Sequence, residues 1–301
     1  MNANVSDNEI IDPPVPKAYL RECADESSGV SDEKRGREND TLGAAQQAGS
    51  VFVLPDRQAK TRCELPYFSV DEMIGGNQEL FSDPWMRIGG CAAVTACDIC
   101  IYMDKYKGTK GLYPYDVNSV SKADYERFAM LMKPYLRPRY SGINKLSTYI
   151  EGLSRYLSEH AFQCSCIPNN DGKLTENSNP GDKASVENKS LSGLYMPDSV
   201  HAPVAGGIQL YGFEGNHSYS EARRFIIEHI DAGFPIPYLN LYHRDPALSD
   251  FVWHWFILAG YAVYADTMMV KVISYGECYW FDLARLWNTG HRRKGGMIGI
   301  Y

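Results

Sequence analysis

Two residues in this chain combine the chemistry of a nucleophile with that of a base, provided the fold brings them together. Cys91 stands behind two glycines in "MRIGGCAAVTACDICIYMDKY", Met86 to Tyr106, at the expected first residue of a helix. A thiolate is a strong nucleophile and a thiol a weak one, and the free N–H groups and dipole of a helix N-terminus favour the anion. Gly89 and Gly90 permit a tight, close-packed turn. Ala92 and Ala93 are small and leave room for a substrate beside the sulfur. His254 lies in "DFVWHWFILAGYAVY", an apolar run of strand character. An imidazole among Trp253, Trp255 and Phe256 is costly to bury unless its nitrogens find partners. Read singly, each residue has a plainer account: a buried thiol at a helix start, and a core histidine bonded to a backbone carbonyl. Read together, they are a thiol and a base for nucleophilic attack on a carbonyl.

The bulk properties narrow the setting for that chemistry. A chain of 301 residues can bury one sizeable core. Its formal charge of −7 argues against a general nucleic-acid binder, and the basic run His291–Lys294 is too short to reverse that. The start of the chain lacks a basic segment followed by an apolar core, so no secretory signal is expected. The longest apolar run, Phe251 to Tyr264, falls short of the ~20 residues a membrane helix needs. A reducing, cytoplasmic location is therefore the expectation, with no membrane partner. Cys97-Asp-Ile-Cys100 and Cys164-Ser-Cys166 invite a metal reading. Zinc sites take two ligand pairs of suitable spacing, and the second pair here is C-x-C without a knuckle histidine, so packed core thiols explain both better. Neither a metal nor a cofactor is expected.

The elements that must position Cys91 and His254 follow from patterning. Residues 1–60 are polar, charged and poor in periodic apolar positions, which predicts a disordered tail with one weak strand at "VFVLP". A polar insertion is expected at about 169–193. Between them the pattern is helical. Val94, Cys97 and Ile101 recur at helical spacing after Cys91. Ser121 is a candidate N-cap for a helix presenting Tyr125, Phe128, Met132 and Tyr135. Leu146, Ile150, Leu153 and Leu157 form the stripe of a third helix. After the insertion, "SEARRFIIEHIDAG" predicts a helix led by Ser220 and ended by Gly233. Short β-like runs follow: "FPIPYLNLY", "FVWHWFILAGY", "MMVKVISYG", "CYWFDL" and "GGMIGIY". Helices first and strands second predict an α+β fold, a helical lobe facing an antiparallel sheet. Strand alternation places Trp253 and Trp255 opposite His254, as sheet packing.

The order of these pieces resembles that of papain-like cysteine peptidases. It is most similar to the bacterial branch that processes bacteriocin precursors with double-glycine leaders. The resemblance rests on "GGCAAVTA", "IIEHIDAGFPIPYL" and "HWFILAGY", and spans Tyr67 to Tyr301. It implies a papain-like domain over residues 61–301, with an N-terminal helical lobe packed on a C-terminal antiparallel sheet. It implies Cys91 as nucleophile, His254 as general base and acid, and a peptide or protein as substrate. Gln78, in "GGNQEL", takes the place of the family's oxyanion donor, with the backbone N–H of Cys91 as the second donor. The chain departs from the family in two respects. Ala92 and Ala93 replace the usual Gly-Pro after the cysteine. No Asp or Asn follows on the next strand, where Ser274 in "Ser-Tyr-Gly" is the available orienting group and Asp266 and Asp282 are fallbacks.

Two alternatives follow from those departures. One is a catalytically silent papain-like scaffold that binds a peptide or protein, since a fold does not fix a function. The other is a transglutaminase-like enzyme, in which Asp266 would complete the site. Neither the substrate nor the oligomeric state is legible in the sequence.

Overall fold

The structure, a computed structural model, describes residues 54–161, 202–203 and 208–301. The expected tail lies outside these residues as far as position 53, and the expected insertion lies wholly outside them. The packed chain begins before residue 61: Leu54 and Ala59 pack beside Ala262, Tyr264 and Met269, and the Lys60 N–H donates to the Val263 carbonyl at 2.7 Å. Leu54 and Pro55, at the end of "VFVLP", are not in a strand.

The described residues form a mixed α+β fold around an antiparallel sheet. Its strands are β1 (Thr61–Glu64), β4 (Ala202–Pro203), β5 (Gln209–Glu214), β6 (Ile236–Asn240), β7 (His254–Val263), β8 (Met268–Ser274), β9 (Glu277–Asp282) and β10 (Gly295–Ile300). The order is β4-β5-β10-β6-β7-β8-β9, and β1 pairs with the far half of β7. Two short strands, β2 (Ser69–Val70) and β3 (Met73–Ile74), pair separately. The five β-like runs expected after the insertion are all strands. β1 and β5 carry too few alternating apolar residues to be read in advance.

The helices are α1 (Pro84–Gly89), α2 (Cys91–Tyr102), α3 (Lys122–Met132), α4 (Leu146–Ala161), α5 (Tyr219–Asp231) and α6 (Leu283–Trp287). Ser121 caps α3 as expected, accepting from the Asp124 N–H. Tyr135 lies beyond the end of α3, and its ring packs edge-on against Tyr156 of α4 at 5.2 Å. The stripe Leu146, Ile150, Leu153 and Leu157 on α4 is buried throughout. The N-cap of α5 is Ser218, not Ser220. Glu221 sits three residues after Ser218, so each side chain satisfies the other's backbone N–H in a capping box.

The sheet is covered on both faces, and this differs from the expected helical lobe on one side. Trp255, Ile257, Ala259 and Ile273 share a core with α2, α3 and α4. Phe256, Leu258, Val270 and Val272 share the other core with α5 and α6. Two buried faces explain why β7 reads as a near-continuous apolar run rather than an alternating one. Trp255 anchors the first core, its ring stacked on Tyr149 at 4.4 Å and its N–H donating to the Ile143 carbonyl at 2.6 Å. Trp253 lies outside β7, with φ of 56°, so strand alternation does not govern it. All twelve residues of α2 are buried, which makes it the central helix. None of the helices among the described residues is long and apolar enough to cross a membrane.

Candidate functional site

The turn before Cys91 is set by its glycines. Asp83 caps α1 by accepting from the Met86 N–H, and Pro84 occupies the first helical position, where a missing N–H costs nothing. The Gly90 N–H closes the last turn of α1 on the Met86 carbonyl at 2.9 Å. A Cβ on Gly90 would lie 2.2 Å from that carbonyl oxygen, and one on Gly89 would lie 2.3 Å from the Arg139 carbonyl oxygen. Only glycine allows α1 to end and α2 to begin with a single residue between them here. Cys91 is therefore the first residue of α2, 4% exposed. Backbone N–H groups of Trp255, Ala92 and Cys91 itself point at its sulfur.

The second half of the site sits at the mouth of the sheet. His254 opens β7 opposite Asn240 of β6, and is 6% exposed. Its Nε2 lies 2.7 Å from Oγ of Ser274, the last residue of β8. Tyr275 and Gly276 then form the two-residue turn between β8 and β9, both at positive φ (53° and 77°). Asn or Gly suits the first of these positions, and a bulky side chain is strained there. The ring of Tyr275 lies flat on His254, with centroids 4.6 Å apart and planes at 2°. Its hydroxyl is 3.3 Å from the Asp250 carbonyl and 3.5 Å from His254 Nδ1. A hydroxyl has one proton to give, so Nδ1 is the less committed nitrogen.

Cys91, His254, Ser274, Gln78, Asp98 and Tyr275 all line one narrow cavity. It has barely room for a single water. Burial dominates the electrostatics. It pushes the Cys91 thiol up to about 11, against the pull of the three N–H groups toward the thiolate. It pulls His254 down to about 3. At neutral pH the cavity thus holds a neutral thiol and a neutral imidazole. The helix start does not by itself produce a thiolate, because desolvation outweighs it here.

The four expected site residues are gathered at one place. Gln78 opens a short 3-10 turn (Gln78–Leu80), donates from Nε2 to the Arg87 carbonyl at 3.1 Å, and has a buried Oε1 without a partner among the described residues. Neither fallback carboxylate is at the site. Asp266 pairs with the exposed Arg57 beyond the far end of β7. Asp282 caps α6. Compared with protein-family models, with curated proteins and with solved structures, the chain matches none. Tyr238 is packing, stacked on Phe256 at 4.9 Å. Tyr261 donates to Asp231 at 2.7 Å, away from the cavity.

Two members of the site were not read from the sequence. Tyr275 stands in "Ser-Tyr-Gly", a run read for its serine alone. Asp98 lies two helical turns after Cys91 on α2, 3% exposed. Its carboxyl accepts from Tyr125 at 2.6 Å, from Tyr67 at 3.1 Å and from the Gly76 N–H at 3.1 Å. A charged residue type inside a wholly buried helix was the available signal.

Proposed function

We propose that the protein is a papain-like cysteine hydrolase or acyl transferase acting on a peptide or amide bond, with Cys91 as nucleophile and His254 as its base. The observation that carries this reading is the shared cavity, in which Ser274 holds one ring nitrogen of His254 and leaves the other nearly free. With Nε2–H donating to Ser274, Nδ1 bears the lone pair. The Cys91 proton moves to Nδ1 as the sulfur attacks the substrate carbonyl. The imidazolium returns that proton to the leaving amine as the C–N bond breaks, leaving an acyl-thioester. Water, or an acceptor amine in the transfer reaction, then releases the acyl group and restores the thiol. The second N–H of the Gln78 amide and the Cys91 N–H serve as oxyanion donors.

The neutral resting pair means that proton transfer accompanies attack rather than preceding it. The narrow cavity means that substrate must part its walls. Free thiols at Cys63, Cys91, Cys97, Cys100 and Cys278 suit a reducing, cytoplasmic setting. The closed cavity and the raised Cys91 thiol favour one rival, a silent scaffold that binds peptides without cleaving them. The transglutaminase-like reading loses support, because Asp266 does not reach His254. The ten residues of β7 separate the two by roughly 30 Å at strand rise.

Iodoacetamide labelling followed by peptide mapping separates enzyme from scaffold. If His254 activates the thiol, His254→Ala slows alkylation of Cys91 at least tenfold at pH 7.5 and leaves the other cysteines unchanged. Equal Cys91 rates in the two proteins would leave the silent scaffold as the better account.

A further inference from the structure

Two of the hydrogen bonds that fasten the loop carrying Gln78 lead into the site. At the first, the Gly76 N–H donates to Asp98, on the same helix as Cys91. At the second, Asn77 Nδ2 donates to the Tyr275 carbonyl at 3.0 Å, on the hairpin that holds Ser274. The first fastening is built by close approach. A Cβ on Gly75 would lie 2.6 Å from Asp98 Oδ2, and one on Gly76 would lie 1.8 Å from the Tyr125 hydroxyl. The glycine pair is therefore what lets the backbone reach a carboxyl buried inside the central helix.

A buried carboxyl in a helix core is expensive, and packing alone gives no reason for it. A leucine or alanine at this position would suit a wholly buried helix. We propose that Asp98 is the positioning residue of this site: it holds the Gly75–Gln78 loop at the height where the Gln78 amide meets the oxyanion formed at Cys91. This proposal rests on the hydrolase reading for its catalytic consequence, while the clamp itself is independent of it. Burial raises the Asp98 carboxyl to about 7, against the three donors that favour its ionised form. The group is thus held in place by hydrogen bonds rather than by a countercharge.

The test compares two probes and one measurement that needs no activity. Acylation by p-nitrophenyl acetate passes through an oxyanion at the thiol, and alkylation by iodoacetamide does not. Asp98→Ala is expected to slow nitrophenolate release at least tenfold while changing Cys91 alkylation less than twofold. Asp98→Asn, which keeps an acceptor for the Gly76 N–H, is expected to stay within threefold of the natural protein. In a Gln78→Ala background the effect of Asp98→Ala on acylation is expected to vanish. A loss that persists in that background, or that falls equally on both probes, would overturn the positioning role. Amide hydrogen exchange reads the clamp directly: peptides covering Gly75–Gln78 are expected to exchange at least tenfold faster in Asp98→Ala. Unchanged exchange would overturn the clamp whatever the activity. Equal nitrophenolate release from the natural protein and Cys91→Ala would instead remove the hydrolase reading, with the exchange result still deciding the clamp. If Asp98→Ala does not fold, Asp98→Val fills more of the vacated space and carries the same comparisons.

Discussion

Among the described residues two histidines are buried, and their surroundings differ in one respect. His229, on α5, is 1% exposed. Its Nδ1 donates to the Phe225 carbonyl at 2.7 Å, and its Nε2 accepts from the Tyr211 hydroxyl at 2.7 Å. The Tyr301 hydroxyl then donates to Tyr211 at 2.6 Å, so every polar atom in that chain is occupied. His254 has one nitrogen bonded as tightly, to Ser274, and the other with only a long contact to Tyr275. Burial pulls both rings down, to about 4 for His229 and about 3 for His254. Depressed basicity is therefore no mark of function here. The open nitrogen is the mark, because a satisfied imidazole has no lone pair to offer a thiol.

The comparison breaks most visibly under truncation. His229→Ala empties a packed aromatic site and strands its polar neighbours, and is expected to cost about 3–5 kcal/mol. Cys91 alkylation should not change. His254→Ala is expected to cost less, about 1–2 kcal/mol, since one nitrogen was never fully bonded. Urea unfolding measures the first quantity and labelling the second. A large stability loss in His254→Ala with no change in labelling would make the two histidines alike.

Acid should act on both equally. Each folded-state value lies below the ordinary histidine value, so the unfolded chain binds the extra proton first as pH falls. The stability each neutral ring contributes is fully present above about 6.5 and is lost as pH falls toward its folded value. The expected loss is on the order of 3 kcal/mol per histidine between pH 6.5 and 4. His229→Gln and His254→Gln should each flatten this limb in urea melts at stepped pH. A limb that is steep in one variant and flat in the other would show that the rings are not equally buried.

The same contrast shows what patterning can and cannot reveal. Periodicity and caps found α3, α4 and five strands, because each buries a regular face or opens on a capping side chain. The second helical layer was missed, although the near-continuous apolar run of β7, where one-sided cover leaves alternation, was its signal. α1 was legible but unread: Asp83-Pro84 is a cap followed by a first-turn proline. Cys91, His254 and Ser274 were readable as residue types in order along the chain. Whether His254 is satisfied or open was not readable, because its partners come from β8 and from the turn after it. Asp98 was unread because a lone acid has no period; its one signal was a charge inside an otherwise uncharged helix.

Ser274 tests the holding half of the contrast. Ser274→Ala leaves a buried ring N–H without a partner and is expected to cost about 1–2 kcal/mol. It should also slow acylation of Cys91 by p-nitrophenyl acetate about tenfold, because the ring loses its preferred tautomer. Ser274→Thr keeps the hydroxyl and should restore most of that rate. If alanine is as good as serine in both measurements, the bond to Nε2 does not orient the ring.

Tyr275 carries the smallest expected stability effect and the sharpest distinction. Its backbone sits where a hairpin turn wants Asn or Gly, so Tyr275→Asn relieves strain of order 1 kcal/mol. It also removes a stacked ring worth about 0.5–1.5 kcal/mol. The two nearly cancel, and the unfolding midpoint should hardly move. The site should change all the same. Taking the ring off His254 admits water to Nδ1 and to the Cys91 sulfur, and less desolvation raises the imidazole and lowers the thiol toward ordinary values. The pH midpoint of Cys91 alkylation is therefore expected to fall from well above that of free cysteine, while His229 and its neighbours are untouched. A midpoint that stays put would mean that the protein body, and not Tyr275, keeps the pair dry.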